Sequence, residues 1–465
     1  GDRRGEATSL MNLGNAYRSL GRYEEAIAFY EQSLAIFREI GDRRGEATSL
    51  MNLGTAYQSL GRYQEAIAFY EQALAIQRDI GDRGGEANSL IGLGNAYQSL
   101  GRYEEAIAFH EQSVAIFREI GDRGGEASSL GNLGNAYQSL GRYEEAIAFY
   151  EQALAIKRDI EDRGGEANSL IGLGNVYNSL GRYEEAIAYY EQALAIYREI
   201  GDRGGEASSL GNLGNAYYSL GRYEEAIAFQ EQALAIKRDI GNRGGEANSL
   251  GNLGNAYRSL GRYEEAIAFY EQSLAIVRNI GNRGGEAISL IRLGAAYRSL
   301  GRYQKAIAVY QQSLAISRDI GDRGGEASSL IGLGNAYESL GRYEEAIAFQ
   351  EQALAISRDI GDRRGEASSL NNLGNAYKSL GRYEEAIEYY QQALTIGNDL
   401  QSSPLKAPIW YNLGLTLSKL DRISDAIGAY RNARQFYQEI QLDHEVQKCD
   451  KAIQKLETPP PPPTL

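Results

Sequence analysis

Apolar residues recur along this chain at helical spacing, in two successive runs that a glycine and an arginine separate. Leu10, Leu13 and Tyr17 mark the first run, and Tyr30 and Leu34 mark the second. Residues three or four apart lie on one face of a helix, so each run predicts an amphipathic helix. No segment alternates apolar and polar residues as a strand would. The pattern predicts an all-α chain of antiparallel helix pairs.

The helix pair repeats every 40 residues. Gly-Asp-Arg opens the unit at residues 1, 41, 81, 121, 201, 321 and 361, and close variants open it at 161, 241 and 281. An eleventh unit, residues 401–440, is degenerate, so residues 1–440 form eleven repeats. A globular core would give every copy a different environment, whereas a one-dimensional stack gives each copy the same neighbours. We therefore expect an α-solenoid. A place in the repeat is called a position below, so position 15 is occupied by residues 15, 55, 95 and so on.

Two further segments follow the repeats. Residues 441–457 predict a helix that closes the stack as a cap, with Val446, Cys449, Ile453 and Leu456 turned inward. Residues 458–465 are rich in proline, which favours a stiff polyproline linker over a ligand for a proline-binding module. The chain begins at Gly1, inside a repeat already under way, so we expect it to be a fragment.

Composition excludes several functions. Lys and Arg number 48 and Asp and Glu 62, which gives a net charge of −14 and argues against binding of nucleic acid. No run of 18 apolar residues is present, so we expect no membrane span. Cys449 is the only cysteine, which excludes an intrachain disulfide and fits a reducing, cytoplasmic location.

The recurring small and large residues resemble the tetratricopeptide repeat over residues 1–440. The resemblance rests on Leu10, Leu13, Gly14, Tyr17, Gly21, Tyr23, Ala26 and Tyr30 and their copies. Leucine stands where the family often has tryptophan, except at Trp410, and Arg38 stands where many members have proline. The 40-residue form is most similar to Pins-like spindle-orientation scaffolds and less closely to kinesin light chain repeats. The resemblance implies a right-handed superhelix whose groove binds extended peptides. The tail lacks the G-protein-binding motifs of Pins-like proteins, so their cellular role is not expected.

Positions 8, 11, 12, 15 and 18 project opposite to the packed side of each first helix, and most differences between first helices fall there. Asparagine is the regular feature of this face. Position 15 holds Asn15, Asn95, Asn135, Asn175, Asn215, Asn255, Asn335 and Asn375, and position 12 adds Asn132, Asn212, Asn252 and Asn372. An amide donates and accepts, so it can pair with any peptide backbone. The resemblance implies that this helix lines the concave surface, and we predict an asparagine ladder for an extended peptide or partner segment. Thr55, Ala295 and Leu415 interrupt it. The alternative is that asparagine tolerates solvent and was copied by duplication.

Arg258, Arg292 and Arg298 come from adjacent repeats and project from the same face. Together they could hold an acidic ligand side chain or a terminal carboxylate by paired hydrogen bonds. The alternative, pairing with nearby glutamates or with water, is slightly favoured for exposed arginines.

No pattern predicts catalysis, a cofactor or a metal site. Gly92-Leu-Gly94 lies inside a helix rather than after a strand, and His110 replaces a repeating tyrosine that packs in the core. His444 is isolated, and the glutamates form solvated helix faces. The tyrosines at positions 17, 23 and 30 are predicted core residues, and the arginines at position 3 are predicted to make ion pairs between repeats.

We expect a non-enzymatic interaction scaffold. The alternative is a sensor or oligomerisation arm of a larger protein whose catalytic or switch domain lies outside residues 1–465. Near-identical repeats and an uncapped first repeat also predict end-to-end self-association.

Overall fold

A computed structural model describes residues 2–400, 402–440 and 442–457, and within these ranges the chain forms 23 helices and no strands. The chain divides into two compact units, residues 1–236 and 237–465. The first unit contains α1 (Arg3–Ser19), α2 (Tyr23–Glu39), α3 (Arg43–Ser59), α4 (Tyr63–Asp79), α5 (Arg83–Ser99), α6 (Tyr103–Ile120), α7 (Arg123–Ser139), α8 (Tyr143–Asp159), α9 (Arg163–Ser179), α10 (Tyr183–Ile200) and α11 (Arg203–Ser219). The boundary falls within α12 (Tyr223–Asp239). The second unit contains α13 (Arg243–Ser259), α14 (Tyr263–Asn279), α15 (Arg283–Ser299), α16 (Tyr303–Asp319), α17 (Arg323–Ser339), α18 (Tyr343–Asp359), α19 (Arg363–Ser379), α20 (Tyr383–Asp399), α21 (Ser403–Lys419), α22 (Ile423–Glu439) and α23 (Asp443–Glu457).

The odd-numbered helices are called helices A and the even-numbered helices up to α22 are called helices B. Within each unit, a helix A packs on the helix B of its own repeat, and that helix B packs on the next helix A. The all-α class and the solenoid of helix pairs predicted from the sequence are therefore confirmed. At the end of the second unit, α23 packs on α22, with Val446 and Cys449 buried. The proline-rich residues 458–465 lie outside the described ranges.

A capping side chain and a preceding residue with positive φ mark the start of a helix A, as at α3. Asp42 precedes α3, and its Oδ1 accepts a hydrogen bond of 3.0 Å from the backbone N–H of Gly45, which satisfies one of the free donors of the first turn. Gly41 before it has φ +70°, a left-handed conformation that glycine adopts at little cost. Glu161 occupies the same place in the fifth repeat with φ +57°, a conformation that side chains disfavour.

The glycine of Leu-Gly-Asn allows helix A and helix B to approach closely. A Cβ atom at Gly54 would lie 2.7 Å from Cε1 of Tyr70, so any side chain there would collide with the ring. Tyr70 is buried, as are Leu50 and Leu53 beside the glycine. Glycine costs about 1 kcal/mol within a helix relative to alanine, and the packed tyrosine ring offsets that cost.

In the first repeat only one of the three predicted core tyrosines is fully buried, whereas position 17 is also buried in the fourth, eighth and tenth repeats. Tyr30 is buried, whereas Tyr17 and Tyr23 are half-buried. The Tyr17 ring stacks on Phe29 with centroids 5.1 Å apart and lies 4.6 Å from the Arg22 guanidinium carbon. The tyrosine at position 17 therefore joins helix A to helix B at the rim of the core.

A buried glutamate at position 6 links consecutive repeats. Glu86 Oε1 accepts a 2.8 Å hydrogen bond from Nε of Arg78 in the preceding repeat, and Glu86 Oε2 accepts one of 2.5 Å from Arg83 of its own repeat. The sequence had assigned the link between repeats to the arginine at position 3, and the arginine at position 38 makes it instead. Burial raises the pKa of Glu86, but the two guanidinium groups outweigh burial and hold that pKa below its usual value.

His110 breaks the tyrosine row in the third repeat. Its side chain is fully buried with its ring against Gly94, and neither ring nitrogen has a hydrogen-bond partner. Burial lowers the pKa of His110 to about 4. Burial alone causes this lowering of the pKa, with no contribution from a charged group.

We expect His110 to make the third repeat acid-sensitive. The unfolded chain titrates near the ordinary histidine pKa of 6.5 and the folded chain near 4, so the unfolded state binds the proton more readily. The stability that depends on neutral His110 is complete above about pH 6.5 and falls as pH falls towards 4, by about 3 kcal/mol in total. Hydrogen exchange of α5 and α6 amides at pH 7 and pH 4.5 measures this loss.

The control is His110→Gln, because Gln230 and Gln350 occupy the same position in other repeats. The variant should retain more protection of α5 and α6 at pH 4.5 than the parent chain does. Equal loss of protection in both proteins would show that His110 does not cause the sensitivity.

Candidate functional site

Consecutive helices A contact each other within each unit, and the five positions predicted to face outward lie along them. Positions 8, 11, 12, 15 and 18 are called the helix A face below. Position 11 lies beside position 12 of the next repeat, as the 3.2 Å hydrogen bond from Asn412 Nδ2 to Asn371 Oδ1 shows. Gln138 at position 18 likewise donates to Ser179 of the next repeat at 3.3 Å. These positions therefore join neighbouring helices A as well as facing outward.

The asparagine at position 15 makes a hydrogen bond that the sequence did not reveal. Its Oδ1 accepts from the hydroxyl of the buried tyrosine at position 30 of the same repeat. The distances are 2.8 Å for Asn15 and Tyr30, 2.5 Å for Asn135 and Tyr150, 2.8 Å for Asn175 and Tyr190, 2.7 Å for Asn255 and Tyr270, and 2.8 Å for Asn375 and Tyr390. Gln230 and Gln350 replace the tyrosine and donate to Asn215 and Asn335 at 3.0 and 3.1 Å.

This bond changes what the asparagine row can offer a ligand. The prediction treated each amide as a free donor and acceptor, pointing away from the core. Where a tyrosine donates to Oδ1, as at Asn135 and Asn175, it fixes the amide plane, and the NH2 group is the donor that a ligand could meet. Asn95 differs, because His110 stands at position 30 of its repeat and its ring nitrogens have no partner. The tyrosine-bonded asparagines therefore favour a ligand that accepts hydrogen bonds.

One of the interruptions keeps the same contact. Thr55 Oγ1 lies 3.2 Å from the hydroxyl of Tyr70, so threonine also serves the tyrosine but carries no amide. Leu415 is exposed. In the second row, at position 12, the half-buried residues are Asn132, Asn212, Asn252 and Asn372.

The three predicted arginines lie in the second unit. The Nε atoms of Arg258 and Arg298 are buried without a hydrogen-bond partner. Both guanidinium groups lower the pKa of Tyr310, which burial raises, so both are close to that hydroxyl. Ala295 stands at position 15 of this repeat, and the arginines occupy the side of Tyr310 where an asparagine would be. The Arg292 guanidinium fills the space above Gly251.

Position 18 also carries two charged residues that the sequence analysis did not single out as a site. Burial raises the pKa of Glu338, and Lys378 and Arg298 oppose that rise. Burial lowers the pKa of Lys378, which donates to Asn375 Oδ1 at 3.3 Å. Arg298, Glu338 and Lys378 follow one another at 40-residue intervals, which was the available signal. The helix A face of the second unit thus carries alternating charges.

In the first unit, a cavity of about 610 Å³ opens on the helix A face between α7 and α9. Three predicted residues, Asn132, Asn135 and Asn175, line it. Lys157 and Asn168 also line it and were not predicted. The cavity brings these three predicted residues together with two that were not predicted.

The helices B carry two equivalent clefts. One of about 580 Å³ lies between α8 and α10 beside Tyr189, and one of about 420 Å³ lies between α18 and α20 beside Tyr389. Leucines form part of both linings, and glutamates and an arginine lie beside them. The lining residues apart from the tyrosine recur in most repeats, so these clefts carry less individual chemistry than the helix A face.

Other candidate chemistry is limited. Across residues 2–400, 402–440 and 442–457, no group of three or more His, Cys, Asp or Glu side chains is arranged to hold a metal ion. No helix in the same ranges is long and apolar enough to cross a bilayer. Cys449 is buried, and burial raises the pKa of its thiol to about 11, which suppresses the nucleophilic thiolate.

The sequence profile described as Tetratricopeptide repeat matches residues 5–79, 85–159, 165–239, 245–319, 325–399 and 366–439. No curated protein matches the chain. A structure from Podosopora anserina described as a kinesin light chain with nearly identical TPR-like repeats is 28% identical, covering 43% of this chain and 100% of that one, with a TM-score of 0.37.

Two larger structures show the same fold at lower identity. The quorum sensor NprR from B. thuringiensis, in its apo form, is 16% identical over 76% of this chain and 99% of its own, with a TM-score of 0.51. A Rap protein complexed with Competence and Sporulation Factor is 17% identical over 77% of this chain and 99% of its own, with a TM-score of 0.51. The family resemblance read from the sequence is confirmed by the profile match.

Proposed function

We propose that this chain, which belongs to the tetratricopeptide repeat family, is a non-enzymatic scaffold that holds an extended peptide along the helix A face. The fold of the family is a general protein-interaction scaffold, and the helix A face is where the repeats of this chain differ most. One observation carries the proposal. The hydroxyl of the tyrosine at position 30 donates to Oδ1 of the asparagine at position 15 and fixes the amide, so that its NH2 group can serve a ligand as a donor.

A row of such donors suits the peptide backbone. A carbonyl oxygen occurs at every residue of any peptide, so fixed donors can hold a peptide whatever its side chains. Packed helices lie about 8–10 Å apart. A polyproline II segment turns once in three residues and rises about 9 Å per turn, so every third carbonyl faces the same way at a similar spacing. An extended peptide in that conformation could therefore meet one amide per repeat.

The fixed amide also lowers the cost of binding. Its plane is held by a tyrosine that is itself packed against a glycine, as Tyr150 is against Gly134. Little side-chain freedom is lost when a ligand arrives, so more of each hydrogen bond appears as affinity. The Rap protein of similar fold was crystallised with Competence and Sporulation Factor. At 17% identity that likeness supports the fold alone.

Within the second unit, Arg258 and Arg298 give the ligand a preferred charge. Their buried Nε atoms lack a partner, and a buried donor without one is costly. An acidic side chain or terminal carboxylate of the peptide would supply acceptors for both. Arg292 lies over Gly251 of the preceding helix A, where it would contribute charge.

A second candidate is self-association, which fits the oligomerisation arm considered above. Leu13 and Leu20 of α1 are 47% and 72% exposed, whereas Leu53 at the equivalent place in the second repeat is fully buried. The other end of the array is covered, because α23 packs on α22. End-to-end stacking of two copies would therefore need α23 to move aside, and contact between two α1 helices would not.

Binding of peptides should depend on the amide donors. Peptides of about twelve residues selected from a displayed random library on the full chain serve as the probe. We expect the double variant Asn135→Thr with Asn175→Thr to bind them about tenfold more weakly, because each lost hydrogen bond contributes about 0.5–1.5 kcal/mol. Isothermal titration calorimetry measures the change.

Threonine is the matched replacement, because Thr55 already serves Tyr70 in the second repeat. Alanine would leave the tyrosine hydroxyl buried without an acceptor, and the loss of stability would obscure the result. Asparagine to aspartate at the same two residues keeps the acceptor for the tyrosine and replaces the donor by a charge, so it should bind still more weakly. Unchanged affinity in both double variants would refute the donor row.

Charge reversal tests the arginines. Arg298→Glu should weaken binding of peptides with an acidic residue by about tenfold and should affect neutral peptides little, because the pair Arg258 and Arg298 would lose its net attraction. Fluorescence anisotropy at low and high salt measures both. Arg302→Glu is the control, since Arg302 already pairs with Glu264 at 2.6 Å. Equal effects of the two reversals would contradict a specific role for Arg298.

Self-association should respond to the exposed leucines. Sedimentation velocity over a hundredfold range of concentration should show dimers of the parent chain and monomers of Leu13→Gln with Leu20→Gln, because burial of apolar area drives the contact. Leu442→Gln, at another exposed leucine, is the control. A parent chain that remains monomeric throughout would remove this candidate.

A further inference from the structure

The cavity between α7 and α9 opens at a junction where both neighbouring helices A carry glycine. Position 11 of one repeat lies beside position 12 of the next. Gly131 and Gly172 fill these places in the fourth and fifth repeats, and in the whole sequence no other junction has glycine at both. A side chain at Gly131 would meet nothing within 4 Å. At another junction the Arg292 guanidinium covers Gly251 instead, so a single glycine there leaves no comparable space.

Three asparagines that line the cavity present donors to it. Asn135, Asn168 and Asn175 each have their Oδ1 occupied by a tyrosine hydroxyl. The donors are Tyr150 at 2.5 Å, Tyr197 at 2.7 Å and Tyr190 at 2.8 Å, respectively. The NH2 group of each amide is thus the part left for a ligand. Asn168 comes from position 8 and the others from position 15, so two rows of the helix A face meet here.

The cavity also contains one ion pair and has no net charge. Lys157 Nζ lies 2.8 Å from Asp162 Oδ2, and the lysine side chain is 12% exposed. Asp162 Oδ1 accepts from the backbone N–H of Gly165 at 2.8 Å. The hydrogen bond from Lys157 lowers the pKa of Asp162, with the Gly165 bond adding to it, so the carboxylate stays ionised. The cavity therefore offers several donors and one fixed anionic acceptor.

We propose that this cavity is a recognition pocket for an uncharged carboxamide, the side chain of a glutamine or asparagine of the bound peptide. The inference rests on the proposed function and adds a residue preference to it. The carboxamide oxygen would accept from the asparagine NH2 groups, and its own NH2 group would donate to Asp162. The ring of Tyr150 lies against Gly172 and forms an apolar wall beside the alkyl part of the ligand.

The rival side chains fit less well. A glutamate or aspartate side chain would bring a second carboxylate close to Asp162, whose charge Lys157 already balances. A leucine would fill the space but would leave the three amides without acceptors, and a buried donor without a partner lowers affinity. An aromatic side chain fits the volume and supplies few acceptors. Only a carboxamide side chain is uncharged and carries a carbonyl acceptor and an NH2 donor on separate atoms.

The experiment selects peptides of about twelve residues from a random displayed library on the full chain and on three variants. Gly131→Ile fills the cavity with the residue that position 11 carries in four other repeats. Gly131→Ala is its matched control, because it also raises helix propensity and adds one carbon to open space. Asn168→Ser removes one amide and places there the residue of four other repeats.

Peptides from the parent chain should share a glutamine or asparagine at one place. Gly131→Ile should bind them at least about tenfold more weakly, Asn168→Ser several-fold more weakly, and Gly131→Ala within about twofold. Replacing that peptide residue by glutamate or leucine should cost the parent chain about tenfold and cost Gly131→Ile little. This last comparison guards against misfolding, because a misfolded Gly131→Ile variant would not bind the substituted peptides as well as the parent chain binds them.

The failures are distinguishable. Selected peptides that bind the parent chain and Gly131→Ile equally would overturn the pocket and leave the proposed function intact. Preference for an acidic or apolar residue at the sensitive place would overturn the carboxamide. If no peptide is selected, or if the selected peptides ignore the double replacement of Asn135 and Asn175 by threonine, the proposed function itself fails.

Discussion

The contact between the tyrosine at position 30 and the glycine at position 14 is the constraint on which each repeat depends. The ring occupies the space that a Cβ atom would need, so helix A and helix B approach until the glycine backbone meets the ring. That approach brings the tyrosine hydroxyl to the asparagine at position 15, whose Oδ1 accepts a hydrogen bond from it. A buried hydroxyl needs such a partner, and the asparagine supplies it. Glycine and asparagine are both poor helix formers, and the same tyrosine side chain requires both of them. The glycine leaves room for its ring, and the asparagine accepts a hydrogen bond from its hydroxyl.

The same contact connects the core to the surface proposed for binding. A surface asparagine would ordinarily rotate and exchange its hydrogen bonds with water, and a ligand would have to immobilise it. Here the packed tyrosine has fixed the amide during folding, so the cost of ordering the side chain belongs to the stability of the repeat rather than to the ligand. His110 shows what happens when the contact is absent: its ring fills the same place against Gly94, yet both nitrogens remain without partners. A ring without a hydroxyl can therefore fill the space against the glycine, but it cannot fix the asparagine amide at position 15.

Periodicity was sufficient to predict the helices, their pairing and the solenoid, because those depend on local spacing and on contacts that recur every 40 residues. It also predicted that Asn135 and Asn175 lie on one helix face, and both residues line the cavity. It could not show that the asparagine Oδ1 accepts a hydrogen bond from the tyrosine at position 30, because that bond depends on how closely helix B packs against helix A. Nor could it reveal the cavity, because Gly131 and Gly172 are 41 residues apart and become neighbours only through the stacking of helices A. Periodicity also could not show that the arginine at position 38, rather than the one at position 3, joins consecutive repeats, because that contact depends on how the repeats stack.

An array of nearly identical repeats can recognise a particular ligand only through the places where the repeats differ. Residues that recur, such as the glycine at position 14, set the geometry and give every repeat the same backbone. Differences at positions 11, 12, 18 and 37 leave that geometry unchanged, because these side chains lie between neighbouring helices or at the edge of the core. Lysine in place of the aromatic residue at position 37 puts Lys157 beside the cavity, and charged residues at position 18 put Arg298 next to Glu338. In this chain the glycines that open a cavity and the arginines that carry charge occupy different units, so a substitution at one feature leaves the other unaltered.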